Sequence, residues 1–178
     1  YFTDKSTPDA CEPLFAALIA KGELSVADRV ARFRLAVEAG NLRTAQAIGE
    51  ELPGPERIPA AALRAVDSNP LRALDRGDFR WQQPGGRAVA LYALERAART
   101  DAGTAHAAWI KHRVRLPEPD RKFGNARVAY HAARQLDPRA NDWFREADGA
   151  AMNDTAAAWR VRAALRAGRW PDVAAAID

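Results

Sequence analysis

The residues whose types suit chemistry are three histidines, one cysteine and a close pair of acids. His106 and His112 are six apart, about 240° around a shared helix, so one metal cannot reach both from it. His131 falls in a different segment. The three read as surface or packing histidines, and no metal or cofactor is expected. Cys11 has no fixed histidine partner in the sequence and reads as a buried helix residue, with pairing to a cysteine outside this segment open if the protein is exported. Glu118 stands in, and Asp120 directly after, Leu116-Pro117-Glu118-Pro119, the sharpest break in the chain. Two carboxylates in a solvated loop have nothing beside them to raise a pKa for acid–base work. Asn153-Asp154-Thr155 matches a glycosylation sequon and a helix cap, and the cap is preferred. Phosphate-cradling glycine motifs are missing, and Gly85-Gly86 follows no strand.

Tryptophan is the most suggestive type. Trp81, Trp109, Trp143, Trp159 and Trp170 are many for 178 residues. Exposed beside Arg and Asp, such rings suit stacking on sugars or bases. Among alanine-rich helices they fill gaps, and Trp109 and Trp159 are expected in the core. Trp81, in a loop, is open to either role and is the one candidate for stacking on a sugar or a base.

The elements that must position these residues are helices. Alanine makes up roughly a quarter of the chain and is the best helix former. No stretch alternates apolar and polar residues as a half-buried strand would. Asp9 with Glu12 can open a first helix that Lys21-Gly22 closes. Ser25 with Asp28 marks a second, whose Val26, Val30, Phe33 and Val37 share one face. Further helices are predicted over 42–52, 56–67, 70–76, 87–100, 101–114, 120–136, 139–148 and 154–167, with a last one from Pro171. Residues 78–86 read as a loop. Leu91, Leu94 and Ala98 are placed on the inner face of 87–100, and Glu95 with Arg99 on its outer face.

Hydrophobic residues are 48% and charged residues 28%, an ordinary globular balance that excludes a disordered or collagen-like chain. No apolar run is long enough to span a membrane. Lys plus Arg is 27 against 23 Asp plus Glu, a net charge of +4 carried mostly by arginine. That mild surplus permits attraction to an anionic polymer without requiring it. Tyr1-Phe2-Thr3-Asp4-Lys5 carries neither an initiator Met nor a signal pattern, and Val173 to Asp178 stops within a helical pattern. The expectation is a piece of a longer chain, with 1–178 as one α-helical domain.

Arg32-Phe-Arg-Leu-Ala-Val-Glu-Ala-Gly40-Asn41 and Arg160-Val-Arg-Ala-Ala-Leu-Arg-Ala-Gly168-Arg169 are alike. Each is an amphipathic helix, then Ala-Gly, then a second helix. Such hairpins cannot bury their apolar faces alone and stack into a solenoid. The fold class expected is all-α: a right-handed superhelix of antiparallel helix hairpins, similar to tetratricopeptide arrays, without a sheet.

An ordered set of segments resembles a known family. Cys11-Glu-Pro-Leu-Phe15, Gly22-Glu-Leu-Ser25, Arg32 to Asn41, Asp78-Phe79 followed by Ala88 to Asp101, and Trp159 to Trp170 resemble the α-superhelical part of the soluble lytic murein transglycosylases. The resemblance implies a bacterial, periplasmic parent enzyme. It would cleave MurNAc–GlcNAc bonds of peptidoglycan to 1,6-anhydro products. It also implies that a separate lysozyme-like domain carries the reaction on one glutamate of a Glu-Ser dipeptide. This chain has no Glu-Ser dipeptide. No catalytic residue is carried over, and neither Glu23 nor Glu118 is assigned that role.

The role so implied is a non-catalytic scaffold that positions glycan strands for its own catalytic domain. The alternative is a free-standing adaptor of tetratricopeptide type that binds a partner protein, which would show a steady period of about 34 residues. The spread of arginines along the chain argues against a nucleic-acid partner.

Overall fold

The computed structural model describes Lys5 and residues 8–177. Tyr1 to Asp4 and Asp178, on which the expectation of an excised piece drew, lie outside the described residues, as does the side chain of Asp9. Every regular element described is helical: α1 (Glu12–Ala20), α2 (Val26–Glu38), α3 (Leu42–Glu51), α4 (Ala60–Ser68), α5 (Pro70–Arg76), α6 (Pro84–Thr100), α7 (Ala102–Trp109), α8 (Glu118–Arg134), α9 (Ala140–Glu146), α10 (Asp154–Arg166) and α11 (Trp170–Ala174). Short 3-10 turns stand at Asp9–Cys11, Gly54–Glu56 and Arg113–Arg115. The fold is all-α, as the composition implies.

The chain divides into two compact units. One comprises residues 1–68 and 79–92, the other 69–78 and 93–178. In the first, α2 and α3 form a hairpin whose core is Phe33, Ala36, Val37 and Ala45. Ile58, Leu63 and the first half of α6 add further buried side chains. Gly49 lets the chain pass close. A Cβ there would lie 2.9 Å from the carbonyl oxygen of Ile58. In the second unit, α8 packs on α9, α10 and α7, around Trp109, Val128, Ala129 and Phe144. Alanines line most of these contacts, which is how helices of ordinary length approach closely without large interdigitating side chains.

The two repeated sequences end their helices identically. Gly40 takes φ 79° and Gly168 φ 65°. Asn41 N–H donates to the Ala36 carbonyl (2.9 Å) and Arg169 N–H to the Ala164 carbonyl (3.0 Å), the closing bonds of a Schellman turn. After α8 the same bonds form around Leu136 at φ 64°, a position the sequence does not advertise because leucine rarely adopts it.

At the helix starts, Ser25 and Asp28 form the reciprocal capping box expected of them. Asn153 Oδ1 accepts the Ala156 N–H at 2.9 Å, which is the cap rather than the sequon reading. Asn153→Ala is expected to lower stability by about 1 kcal/mol. Faster hydrogen exchange at the Ala156 amide and a lower urea midpoint would register it.

Several predicted boundaries move. Residues 57–59 are not helical, because Pro59 and the Gly54–Glu56 turn precede α4. Helix α6 begins at Pro84, inside the stretch read as loop, because proline serves at the first turn of a helix. The segment predicted to run to 114 ends at Trp109 and gives way to the Arg113–Arg115 turn. Helix α8 starts at Glu118, with Pro119 in its first turn, so Glu118 and Asp120 belong to a helix start and not to a loop.

Candidate functional site

The densest group of titratable side chains lies between α6 and α8 of the second unit. Glu95 was expected on the outer face of its helix beside Arg99. Its side chain is instead only 7% exposed. The pair with Arg99 does form, at 3.2 Å, but two side chains of α8 close over the same carboxylate. Arg127 donates through Nε and Nη2, each at 2.7 Å, and His131 Nε2 lies 2.8 Å from Oε1. Burial alone would raise the Glu95 carboxyl. The hydrogen bonds from His131 and Arg127 outweigh it and hold the group far below its ordinary 4.5.

A carboxylate-oriented imidazole is also the germ of a catalytic pair. Here His131 is 3% exposed, and the Tyr130 ring meets it edge-on at 4.9 Å. An imidazole so enclosed has no surface to offer a substrate, and the cluster acts as an internal tie between two helices.

The other histidines are also packed. His106 stacks on Trp143 with ring centroids 4.0 Å apart and planes 14° from parallel. Burial pushes its pKa down. His112 stands beyond the end of α7, so the two never share a helix. Its Nε2 lies 3.1 Å from the Asp75 carbonyl, and its ring fills the space where a Cβ of Gly77 would be, 2.3 Å away. Among the described residues, no group of His, Cys, Asp and Glu is arranged to hold a metal ion. Cys11 is half-buried at the start of α1 rather than buried within it.

The tryptophans separate by environment. Trp109 is fully buried, and its Nε1–H donates to Asn125 Oδ1 at 2.7 Å. Trp159, expected in the core, is half-buried with the Arg162 guanidinium 5.0 Å from its ring centre. Trp81 is 9% exposed and packs edge-on against Phe79, with centroids 5.3 Å apart. A ring held in this way presents little of its face to a sugar. Trp170 is the most exposed of the five, at 71%.

Many arginines are matched locally by carboxylates, among them Arg34 with Glu38, Arg57 with Glu50, Arg113 with Glu146 and Arg160 with Asp148. Glu118, of the acid pair at the proline-rich break, pairs with Lys122 at 2.9 Å. The Lys122 hydrogen bond lowers its pKa, the opposite of what a general acid needs. Among the described residues no helix is long and apolar enough to cross a membrane.

These features define an all-α chain of helix hairpins whose buried polar groups tie helices together. Comparison with known proteins places it further. No protein-family model matches the chain. Over 105 residues, 59% of the chain, it is 30% identical to the soluble lytic murein transglycosylase of Escherichia coli K12, and equally to that of Escherichia coli O157:H7. Its structure is similar to that of an inactive mutant of lytic transglycosylase Slt from Pseudomonas aeruginosa, with a TM-score of 0.75 and 29% identity over 98% of this chain. The resemblance read from the sequence is therefore shown both by sequence and by structure. The match spans 16% of the E. coli proteins and 29% of the Slt chain, so this chain corresponds to a minor part of each.

Proposed function

We propose that this chain is a non-catalytic helical domain, 1–178, of a periplasmic peptidoglycan lytic transglycosylase. It positions glycan strands for a catalytic domain of the same polypeptide, which cleaves MurNAc–GlcNAc bonds to 1,6-anhydro products. The observation that carries the reading is the structural match to Slt along 98% of the chain. Two features agree with it: the missing Glu-Ser dipeptide, and acidic side chains engaged with arginine or lysine rather than poised for proton transfer.

The positioning force on this reading is the arginine surplus acting on anionic peptide stems. It is a screened, long-range attraction. The isolated chain is expected to co-sediment with purified peptidoglycan at low ionic strength. It should be released as salt approaches ~1 M, where the screening length falls to about 3 Å. It should release no muropeptides. Failure to bind at low salt would remove the positioning role, and muropeptide release by this chain alone would remove the non-catalytic one.

A further inference from the structure

Helices α7 and α9 of the second unit meet through two flat rings. His106 of α7 lies nearly parallel to Trp143 of α9, with centroids 4.0 Å apart. The indole is buried and the imidazole half-buried. Each helix also packs on α8, so this stack can open without dismantling the unit.

The surroundings of the imidazole decide which charge it tolerates. Two carboxylates stand near it, and each is already engaged. Arg139 holds Asp137 through Nε at 3.0 Å and Nη2 at 2.6 Å, and Arg113 holds Glu146. These four charges cancel. Helix α8 reaches α7 through the neutral side chains of Asn125 and Gln135. The charged residues of α5, Arg72 and Asp75, lie with Thr104 and Ala108, about 200° around α7 from His106, and Asp75 pairs there with Lys111. An indole face attracts a cation. The ring of Trp143, however, already has the Arg139 guanidinium 4.8 Å from its centre. A proton on His106 therefore adds an uncompensated charge to a half-buried, neutral site that holds one cation against the same ring.

We propose that the His106–Trp143 stack is a pH-sensitive clasp between α7 and α9, closed while the imidazole is neutral and opened locally when it takes up a proton. Burial, the largest cause, lowers the His106 pKa from its ordinary 6.5; Glu146 pulls it back and Arg113 adds to the fall. The closed clasp is thus fully stable above about pH 6.5 and loses stability as pH falls toward the lower folded value. It is a property of the second unit alone and is independent of whether glycan strands are positioned by the chain.

The test is an NMR titration of the whole chain from pH 8 to pH 4.5, with hydrogen exchange in α9 read as protection factors at pH 7 and pH 5. The His106 imidazole is expected to titrate below 6.5, and the Trp143 indole N–H to shift with the same midpoint. Protection of the α9 amides should fall between pH 7 and pH 5, by up to about tenfold for each unit by which the midpoint lies below 6.5. Amides of α2 and α3 in the other unit should keep theirs. His106→Phe retains a flat ring on Trp143 and cannot be charged, so the fall should be absent. Circular dichroism checks that this variant folds, and the wild-type titration stands without it. The proposal is overturned if His106 titrates at or above 6.5, if wild-type α9 is equally protected at both pH values, or if His106→Phe shows the same fall.

Discussion

Replacing Glu95 by alanine is expected to destabilise the second unit by about 3–5 kcal/mol, the range for breaking a buried ion cluster by removing one partner. The reason is what remains. Arg127, with 23% of its side chain exposed, and His131, with 4%, would be left facing each other without the carboxylate that both now contact. Glu95→Gln keeps the shape and part of the hydrogen bonding, and should fall between the wild type and alanine. The pH dependence separates charge from packing. A carboxyl whose folded pKa lies below its ordinary 4.5 stabilises the fold fully above that value, and its contribution is lost as pH falls toward the folded value. Wild-type stability should therefore decline as pH falls below about 4.5, and Glu95→Gln should lack that part of the decline. Urea midpoints between pH 7 and pH 3 would measure both effects. Identical profiles for wild type and Glu95→Gln would show that the cluster contributes nothing through its charge.

Truncating Trp109 is expected to have an effect of similar size by a different route. The indole is 0% exposed, so Trp109→Ala empties a large part of the second core and should lose about 3–5 kcal/mol. Trp109→Phe retains most of the apolar volume but removes the Nε1–H. Asn125, 6% exposed, would then lose the donor to its Oδ1 while its Nδ2 remains tied to the Glu146 carbonyl at 3.2 Å. An acceptor left buried without its donor costs about 1–3 kcal/mol. Circular dichroism during urea unfolding gives the ranking. Equal losses for Phe and Ala would mean that the hydrogen bond, not the volume, dominates at this site.

Much of the local architecture is legible from residues within four positions of one another. The Ser25–Asp28 box, the Asn153 cap and the glycine turns at 40 and 168 form as expected, because each needs only the backbone of its own helix end. The missed boundaries also have local causes. Pro84 and Pro119 open helices, although both sit in stretches whose prolines look like breaks. The side of a helix on which a charge ends up is less legible. Glu95 and Arg99 have the spacing of a solvent-side pair, and nothing nearby in sequence announces Arg127 and His131, which lie 32 and 36 residues away. The loop placement of Trp81 likewise gives no hint that its indole is shut against Phe79.

By itself the amino-acid sequence determined the helical class and most helix starts and stops, since periodicity and capping act over a few residues; the likeness to the lytic transglycosylases is carried by the order of its segments. Tertiary structure alone decided which side chains complete distant helix ends. Glu50 caps α4 through the Ala60 amide at 2.7 Å. Glu56 receives the Gly85 amide at the start of α6, at 3.0 Å. Gln135 accepts from Ala102 at the start of α7 while donating to the Ala98 carbonyl at the end of α6. Each partner is chosen by which helices pack together. The first turn of a helix offers N–H groups to any acceptor brought within reach, and only the packed chain fixes which acceptor arrives.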